Sequence, residues 1–345
     1  MKFCRDFFFL SPDSGLISII FQRINCPGSF KKIIFLLLCI ALGICLIVYN
    51  ISSYSAVTNF TPTEKILHHS ITELYNKKRI KFRGTQRRLP QTVIVGVRKC
   101  GTRALLEMLA LHSYVVKKSE EMHFFDDDDI YENGLEWYRK KMPYSFDNQV
   151  TIEKTPSYFI SREAPARIKE MNESVRLLVI VREPTTRVIS DYAQILDSKK
   201  LRGKPYIPFE KRVLNEVGEI NENYIAIKIS QYFVHMVRWL RVFSLEQILV
   251  VDGEQLVRDP FPELKKVEKF LKLPSRFTPW NFYFNETKGF YCFRNENRQK
   301  CLPPSKGRKH PEIDPQLVSK LRRYFAPFND HFYELIGQNF SWLTS

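Results

Sequence analysis

The stretch from Thr92 to Leu111 constrains this chain more than any other, because it predicts a strand, a short loop and a helix in direct succession. Thr92 to Val97 is apolar and β-branched, as in a buried strand of a parallel sheet. Thr102 to Leu111 has apolar residues at helical spacing among strong helix formers. The loop between them holds two cations, Arg98 and Lys99. Backbone amides at a helix N-terminus beside fixed cations predict an anion-binding site.

The outer spacing of this loop is that of a phosphate-binding P-loop, in which two glycines enclose four residues. The inner residues differ, because Gly101 is followed by Thr102 and Arg103 rather than by lysine and a hydroxyl residue that binds Mg²⁺. A later apolar strand, Leu177 to Val181, ends in Arg182 and not in a metal-binding carboxylate. The residues favour a phosphosulfate that fixed cations neutralise without a metal. An ordinary glycine turn is the alternative for the loop taken alone.

A second anion site is predicted where the strand Leu177 to Val181 ends. This strand delivers Arg182 to the carboxyl edge of the sheet, where open α/β sheets bind ligands. Pro184 starts a helix, and Ser190 lies a little over two turns into it. Two anion sites on one edge of the sheet predict a ligand with two separated anionic groups. A nucleotide with a 5′-phosphosulfate and a 3′-phosphate, 3′-phosphoadenylyl sulfate, has this arrangement.

The formal net charge of +16 indicates an anionic partner, which could be nucleic acid, anionic lipid or an acidic polysaccharide. The N-terminus argues against nucleic acid. Ile33 to Tyr49 is an uninterrupted apolar run near the short end of what spans a bilayer; Lys31 and Lys32 precede it, and no charge follows until Glu64. The positive-inside rule predicts a type II orientation with a lumenal body, although a cleaved signal peptide is an alternative. A nucleic-acid partner is therefore not expected.

The predicted organisation is a cytoplasmic tail over 1–32, a transmembrane signal-anchor over 33–49, a lumenal stem over 50–89 and one folded domain over 90–345. Two features fit a lumenal domain. Cys292 and Cys301 enclose a short segment that suits a local disulfide in an oxidising compartment, with two free thiols as the alternative. Sequons provide candidate glycosylation sites at Asn59, Asn172, Asn285 and Asn339.

Strand-like and helical runs alternate through the domain, which predicts a single α/β domain. Strands are predicted at Thr92–Val97, Val150–Glu153, Val175–Val181 and Gln247–Val251. Helices are predicted at Thr102–Leu111, Glu163–Met171, Thr185–Leu196, Tyr224–Phe243, Phe261–Leu271 and Asp314–Phe325, with a polar loop at Lys199–Pro208.

Five segments of residues 90–345 carry a resemblance to a known family. They read Gly-Val-Arg-Lys-x-Gly-Thr-Arg-Ala-Leu, Glu-x-His-Phe-Phe-Asp, Glu-Lys-Thr-Pro-x-Tyr-Phe, Val-Arg-Glu-Pro-Thr-Thr-Arg and Ser-Lys-Gly-Arg-x-His-Pro. In this order they resemble the heparan sulfate glucosamine 3-O-sulfotransferases, most of all the isoform-5 and isoform-1 type. The resemblance implies a P-loop-like sulfotransferase fold with a central, mostly parallel sheet flanked by helices. It also implies a Golgi membrane enzyme that uses 3′-phosphoadenylyl sulfate, without a metal, to sulfate the 3-hydroxyl of a glucosamine in heparan sulfate.

The resemblance also implies catalytic roles. Sulfuryl transfer needs a base for the attacking hydroxyl and cations on the leaving phosphate. The family's catalytic glutamate corresponds to Glu121, and its accompanying histidine and aspartate to His123 and Asp126. Residues 121 and 123 are expected to share one face of an extended segment. Lys99 is assigned to the leaving phosphate and Lys154 to the transferring sulfate.

Further ligands follow from the same resemblance. The cofactor is expected to contact Arg98, Lys99, Gly101, Thr102, Arg103, Arg182, Ser190, Tyr291, Lys306, Gly307, Arg308 and His310. Weaker candidates for acceptor binding, beside Asp126 and Lys154, are Gln194, Arg298 and Lys300.

One position departs from the family pattern, because Cys100 replaces a common glycine. Its side chain is expected to point to solvent or against the first helical turn, and its φ must not be positive. A nucleophilic role for Cys100 is not expected, since sulfuryl transfer needs no covalent intermediate. Two other functions remain open: an N-sulfotransferase, or an inactive membrane-anchored protein that binds heparan sulfate.

Overall fold

The computed structural model describes residues 82–296, 298–303 and 310–342. The predicted tail, signal-anchor and most of the stem lie outside these ranges, as do Asn59 and the cofactor candidates Lys306, Gly307 and Arg308. Within the described ranges, no helix combines the length and the apolar character needed to cross a membrane.

A five-stranded parallel sheet forms the centre of the domain. Its strand order is β3-β5-β2-β6-β7, with bounds β2 (Thr92–Gly96), β3 (Val115–Lys117), β5 (Val150–Lys154), β6 (Arg176–Val181) and β7 (Ile248–Asp252). The prediction of a parallel sheet is confirmed, and four strands lie where the sequence predicted them. Val115–Lys117 was missed, because three residues are too few to show a periodicity.

Helices connect the strands and cover the sheet. They are α1 (Thr102–Leu109), α2 (Asp128–Tyr131), α3 (Gly134–Lys141), α4 (Ala164–Met171), α5 (Pro184–Leu201), α6 (Glu210–Val213), α7 (Ile225–Ser230), α8 (Tyr232–Leu240), α9 (Gly253–Arg258), α10 (Pro260–Phe270) and α11 (Pro315–Ile336).

The central strands are buried because their residues are apolar on both faces. Val93, Ile94 and Val95 of β2 have no exposed surface, nor do the last five residues of β6. A strand covered on both sides reads as a continuous apolar run, which explains why β2 and β6 were predictable. The loops that leave their carboxyl ends are thereby held at one edge of the sheet.

Three predicted helices differ by several residues from those in the structure. The helix predicted at Thr185–Leu196 spans Pro184–Leu201, so the loop predicted from Lys199 begins later than expected. The helix predicted over Tyr224–Phe243 is divided at Gln231, whose φ of −81° and ψ of 68° are not helical. The last helix continues past Phe325 and past Pro327, and it ends at Gly337 with a φ of 63°. Its continued apolar face, with Phe332 fully buried, outweighs the helix-breaking tendency of proline.

Two small antiparallel sheets accompany the main one. One pairs β1 (Gln86–Arg87) with β4 (Tyr144–Ser145), so residues just before the predicted boundary at 90 pack on the domain. The other contains β8 (Phe282–Asn285), β9 (Phe290–Asn295) and β10 (Arg298–Lys300). The predicted disulfide between Cys292 and Cys301 is confirmed, and it ties β9 to the residue after β10. Runs rich in aromatic residues at 282–284 and 290–293 were a signal for this sheet.

Candidate active site

A cavity of about 780 Å³ opens at the carboxyl ends of β2, β5 and β6. Most residues predicted for the site line it together: Arg98, Lys99, Gly101, Thr102, Arg103, Glu121, His123, Lys154, Arg182, Ser190, Gln194 and His310. Sequence reasoning missed other lining residues: Cys100, Ala104, Pro156, Ser157, Val257, Gly289, Phe290 and Leu302.

The loop between β2 and α1 wraps around one wall of this cavity. Gly101 caps α1 with a φ of 113°, a conformation that glycine adopts without strain. Lys99 also has a positive φ, 74°, which is uncommon for a residue with a side chain and often marks a functional site. Its Nζ lies 3.1 Å from Gln194 Oε1 on α5. The loop therefore directs a cation and the first amides of a helix into the cavity.

Two residues that the sequence did not single out hold this loop in place. Arg187 has no exposed surface, and it donates to the carbonyl oxygen of Arg98 at 3.3 Å and to Asp191 Oδ2 at 3.1 Å. The other carboxylate oxygen of Asp191 lies 3.2 Å from the guanidinium of Arg98. Arg187 also donates to the carbonyl oxygen of Ala226 at 2.6 Å. This buried network fixes the loop to α5 and α7, and its sequence signal was the second arginine of Val-Arg-Glu-Pro-Thr-Thr-Arg.

The thiol of Cys100 does not point to solvent. It is fully buried, and its Sγ lies 3.5 Å from the hydroxyl of Tyr232 on α8, which in turn donates to the carbonyl oxygen of Arg182 at 2.9 Å. Burial raises the pKa of the Cys100 thiol, which disfavours the thiolate. The φ of Cys100 is not positive, as the sequence required.

Arg182, Ser190 and His310 lie at another part of the cavity wall. Arg182 pairs with Glu254 on α9, with Nε to Oε1 at 3.2 Å and Nη2 to Oε2 at 3.4 Å. Burial lowers the pKa of His310, and the positive charges of Arg182 and Lys99 lower it further. The wall thus combines a fixed guanidinium and a hydroxyl, groups that suit a phosphate.

Glu121 lines the same cavity as the loop, next to Lys154 at the end of β5. The ammonium group of Lys154, whose side chain is 4% exposed, contacts Oε1 of Glu121, whose side chain is 41% exposed. His123 Nε2 lies 3.8 Å from Glu121 Oε2, and His123 Nδ1 lies 3.3 Å from Asp126 Oδ1. The expected extended segment is wrong, because His123 has a left-handed φ of 51° and leads directly into a turn at residues 124–126. The turn nevertheless brings the carboxylate and the imidazole together.

Several predicted ligands lie away from the cavity lining. Asp126 contacts His123 and does not line the cavity, while Tyr291 packs edge-on against Phe284. Arg298 lies on β10, and Lys300 of the same strand donates to Glu107 Oε2 at 2.7 Å.

Glu107 is the centre of a cation cluster that borders the loop. Arg103, Lys117 and Lys300 all contact its carboxylate. Burial would raise the pKa of Glu107, but the hydrogen bonds and charges of Lys117 and Lys300 outweigh it and lower this pKa to about 2. Lys300 therefore serves an ion-pair network that also orients Arg103.

The acidic run from Asp126 to Asp129 has structural contacts. Asp127 caps α2 by accepting from the amide of Ile130 at 3.0 Å, and Asp128 pairs with Arg167. Across the part of the chain that the structure describes, no three metal-ligating side chains cluster around a common point.

Residues 89–341 match the family model of the sulfotransferase domain. The chain is 52% identical to human heparan sulfate glucosamine 3-O-sulfotransferase 5, over 80% of this chain and 81% of that protein. It is 47% identical to human heparan sulfate glucosamine 3-O-sulfotransferase 3B1, over 74% of this chain and 65% of that protein. Among solved structures, a sulfotransferase from Alicyclobacillus acidocaldarius has a TM-score of 0.54 at 20% identity, covering 74% of this chain and 98% of that one. This last likeness concerns the fold alone.

Proposed function

The chain belongs to the heparan sulfate glucosamine 3-O-sulfotransferase family, and we propose that it transfers a sulfuryl group from 3′-phosphoadenylyl sulfate to the 3-hydroxyl of a glucosamine in heparan sulfate. One observation carries the proposal. A single cavity combines the cationic loop from Arg98 to Arg103 with the pair of Lys154 and Glu121. Anion ligands and a candidate base are therefore within reach of the same bound molecules.

The residues of the cavity fit the proposed sulfate donor. When bound, 3′-phosphoadenylyl sulfate would supply the sulfuryl group and a phosphate leaving group. Lys99, the amides at the N-terminus of α1 and Arg98 suit the 5′-phosphosulfate, since they place positive charge around one end of the cavity. Arg182 and Ser190 suit the 3′-phosphate in the same way.

Glu121 is the proposed general base. Its carboxylate is exposed to the cavity on one side and held by Lys154 on the other. The acceptor oxygen bonds to sulfur while the bond between sulfur and the donor phosphate oxygen breaks with its electron pair, and the hydroxyl proton goes to Glu121. Lys99 and Lys154 stabilise the negative charge that develops on the leaving oxygen and the sulfuryl oxygens. His123, held by Asp126, lies 3.8 Å from the second carboxylate oxygen of Glu121.

The Golgi lumen is the proposed compartment, with a type II anchor at residues 33–49. The apolar run and its flanking lysines support the anchor, and the disulfide between Cys292 and Cys301 supports an oxidising lumen. Heparan sulfate as acceptor is supported by the activity for which the relatives are named and by the net charge of +16.

The test is to incubate the purified protein with ³⁵S-labelled 3′-phosphoadenylyl sulfate and defined heparan sulfate oligosaccharides, and to locate the label after digestion. The expected product carries the label on the 3-oxygen of a glucosamine. Label on nitrogen or on another hydroxyl would overturn the acceptor position. A protein that binds adenosine 3′,5′-bisphosphate but transfers no label would overturn the catalytic function and leave a heparan-binding one.

A further inference from the structure

The turn that carries Glu121 is attached to side chains that follow β5. The amide of Met122 donates to Thr155 Oγ1 at 3.0 Å, and the amide of His123 reaches the same oxygen at 3.5 Å. The amide of Phe124 donates to the hydroxyl of Tyr158 at 3.0 Å. Three successive amides of the turn are thus satisfied by two side-chain hydroxyls.

The hydroxyl of Thr155 is fully used in this arrangement. Thr155 has no exposed surface, and its Oγ1 donates to Glu153 Oε1 at 2.5 Å while it accepts from the two amides. A threonine hydroxyl has one donor and two acceptor sites, so these three bonds complete its capacity. Valine at this position would keep the shape of the side chain and remove all three bonds.

Glu153 anchors the hydroxyl of Thr155. It has no exposed surface, and the amide of Met122 lies 3.4 Å from its Oε1. Burial raises the pKa of Glu153 to about 7. Because the residue cannot be hydrated, its bond to Thr155 fixes the rotamer of that hydroxyl.

The same strand end therefore positions Glu121 in two ways. Lys154 contacts its carboxylate, and Thr155, the next residue, holds the amide that follows it. Thr155 itself is fixed to the sheet, because its amide donates to the carbonyl oxygen of Ile94 in β2 at 3.3 Å. The left-handed backbone of His123 persists only where its surroundings impose it.

We propose that Thr155 is a positioning residue for Glu121: its hydroxyl clamps the turn at Met122 and His123, so that the Glu121 carboxylate meets both Lys154 and the acceptor hydroxyl. This inference rests on the proposed role of Glu121 as base. Thr155 itself contacts neither the donor nor the acceptor in this proposal. A displacement of about 1 Å at a reacting group can reduce a rate by about 100-fold.

The test compares Thr155→Val with Thr155→Ser in the full chain. Valine is expected to reduce kcat for sulfuryl transfer by about 10- to 100-fold, while the dissociation constant of adenosine 3′,5′-bisphosphate stays within about twofold. Serine, which keeps the hydroxyl, is expected to restore kcat to within about threefold of the original chain. The matched control is Thr151→Val on β5, because Thr151 is also buried and its hydroxyl bonds Ser145 at 3.1 Å, away from the turn.

A second measurement does not depend on catalysis. Hydrogen exchange of the peptide that contains residues 121–125 is expected to accelerate in Thr155→Val, while exchange at residues 98–103 is unchanged. If the original chain transfers no sulfate, the proposed function fails and this measurement still decides the clamp. If Thr155→Val does not fold, Tyr158→Phe replaces it, since it removes the partner of the Phe124 amide and is expected to change kcat and exchange in the same direction.

Two results would overturn the clamp. One is a Thr155→Val protein with kcat within about threefold of the original and unchanged exchange at 121–125. The other is a loss of kcat that Thr155→Ser does not restore, or a loss of kcat accompanied by an equal loss of affinity for adenosine 3′,5′-bisphosphate. Either outcome would indicate that Thr155 has a general structural role.

Discussion

Lys154 and Glu121 form an ion pair across 33 residues of sequence, with the lysine buried at a strand end and the carboxylate open to the cavity. The pair joins two segments that have no local reason to meet. One carboxylate oxygen of Glu121 is held by this cation, and the other lies near His123 in a side chain that lines the cavity.

Lys154→Met is expected to reduce sulfuryl transfer by about 100-fold, since it removes both the partner of Glu121 and a cation near the sulfuryl group. Steady-state kinetics with labelled donor measure the effect. Lys118→Met is the matched control, because Lys118 is also buried but pairs with the exposed Glu120. Equal losses in the two variants would contradict a specific role for Lys154.

Arg182→Ala is expected to weaken binding of adenosine 3′,5′-bisphosphate by about 10- to 100-fold, which corresponds to the loss of charge-assisted hydrogen bonds worth about 1.5–3 kcal/mol. Isothermal titration calorimetry gives the dissociation constant. Arg176→Ala provides the control, because Arg176 begins the same strand at its other end and donates to the carbonyl oxygen of Leu271. Unchanged binding in Arg182→Ala would place the 3′-phosphate elsewhere.

Glu153→Gln is expected to change how stability depends on pH. Burial raises the pKa of Glu153 from 4.5 to about 7, so the folded state favours the protonated carboxyl. The stability that the protonated Glu153 carboxyl contributes to the folded state is complete below pH 4.5 and is lost as the pH rises through about 7. The variant should therefore gain stability relative to the original chain between these pH values, by up to about 3 kcal/mol. Denaturant unfolding at several pH values measures this, and a difference that does not vary with pH would contradict it.

Removal of the disulfide through Cys292→Ser with Cys301→Ser is expected to destabilise the domain by about 2–3 kcal/mol, because the bridge closes a loop with a sequence separation of 9. The small sheet β8–β10 should loosen, and Phe290 and Leu302 of the cavity wall lie beside the two cysteines. Urea unfolding with and without reductant provides the measurement. An unchanged midpoint in the double variant would show that the bridge adds no stability.

The strands and the loop were predictable from sequence because their signals are local. The buried strands β2 and β6 have apolar residues on both faces. Gly101 marks a positive-φ backbone conformation that few residues other than glycine adopt. Helix bounds were less predictable, since the break at Gln231 and the passage through Pro327 depend on neighbouring helices.

The supporting contacts of the site could not be derived from spacing. Arg187 reaches the loop only because α5 passes beneath it, and Thr155 reaches the turn of Glu121 only because β5 lies beside that segment. Glu254 pairs with Arg182 from a helix that follows another strand. In each case the order of the strands in the sheet decides which segments become neighbours, and no single segment of the sequence specifies that order.

The most direct test of the account is sulfuryl transfer by Glu121→Gln, measured together with binding of adenosine 3′,5′-bisphosphate. Glu120→Gln is the control, because Glu120 is the adjacent carboxylate and pairs with Lys118. Glu121→Gln should lose transfer and keep its binding constant, since the substitution removes the base and none of the proposed anion ligands, while Glu120→Gln should keep both. Transfer by Glu121→Gln within a few-fold of the original chain would show that the base lies elsewhere.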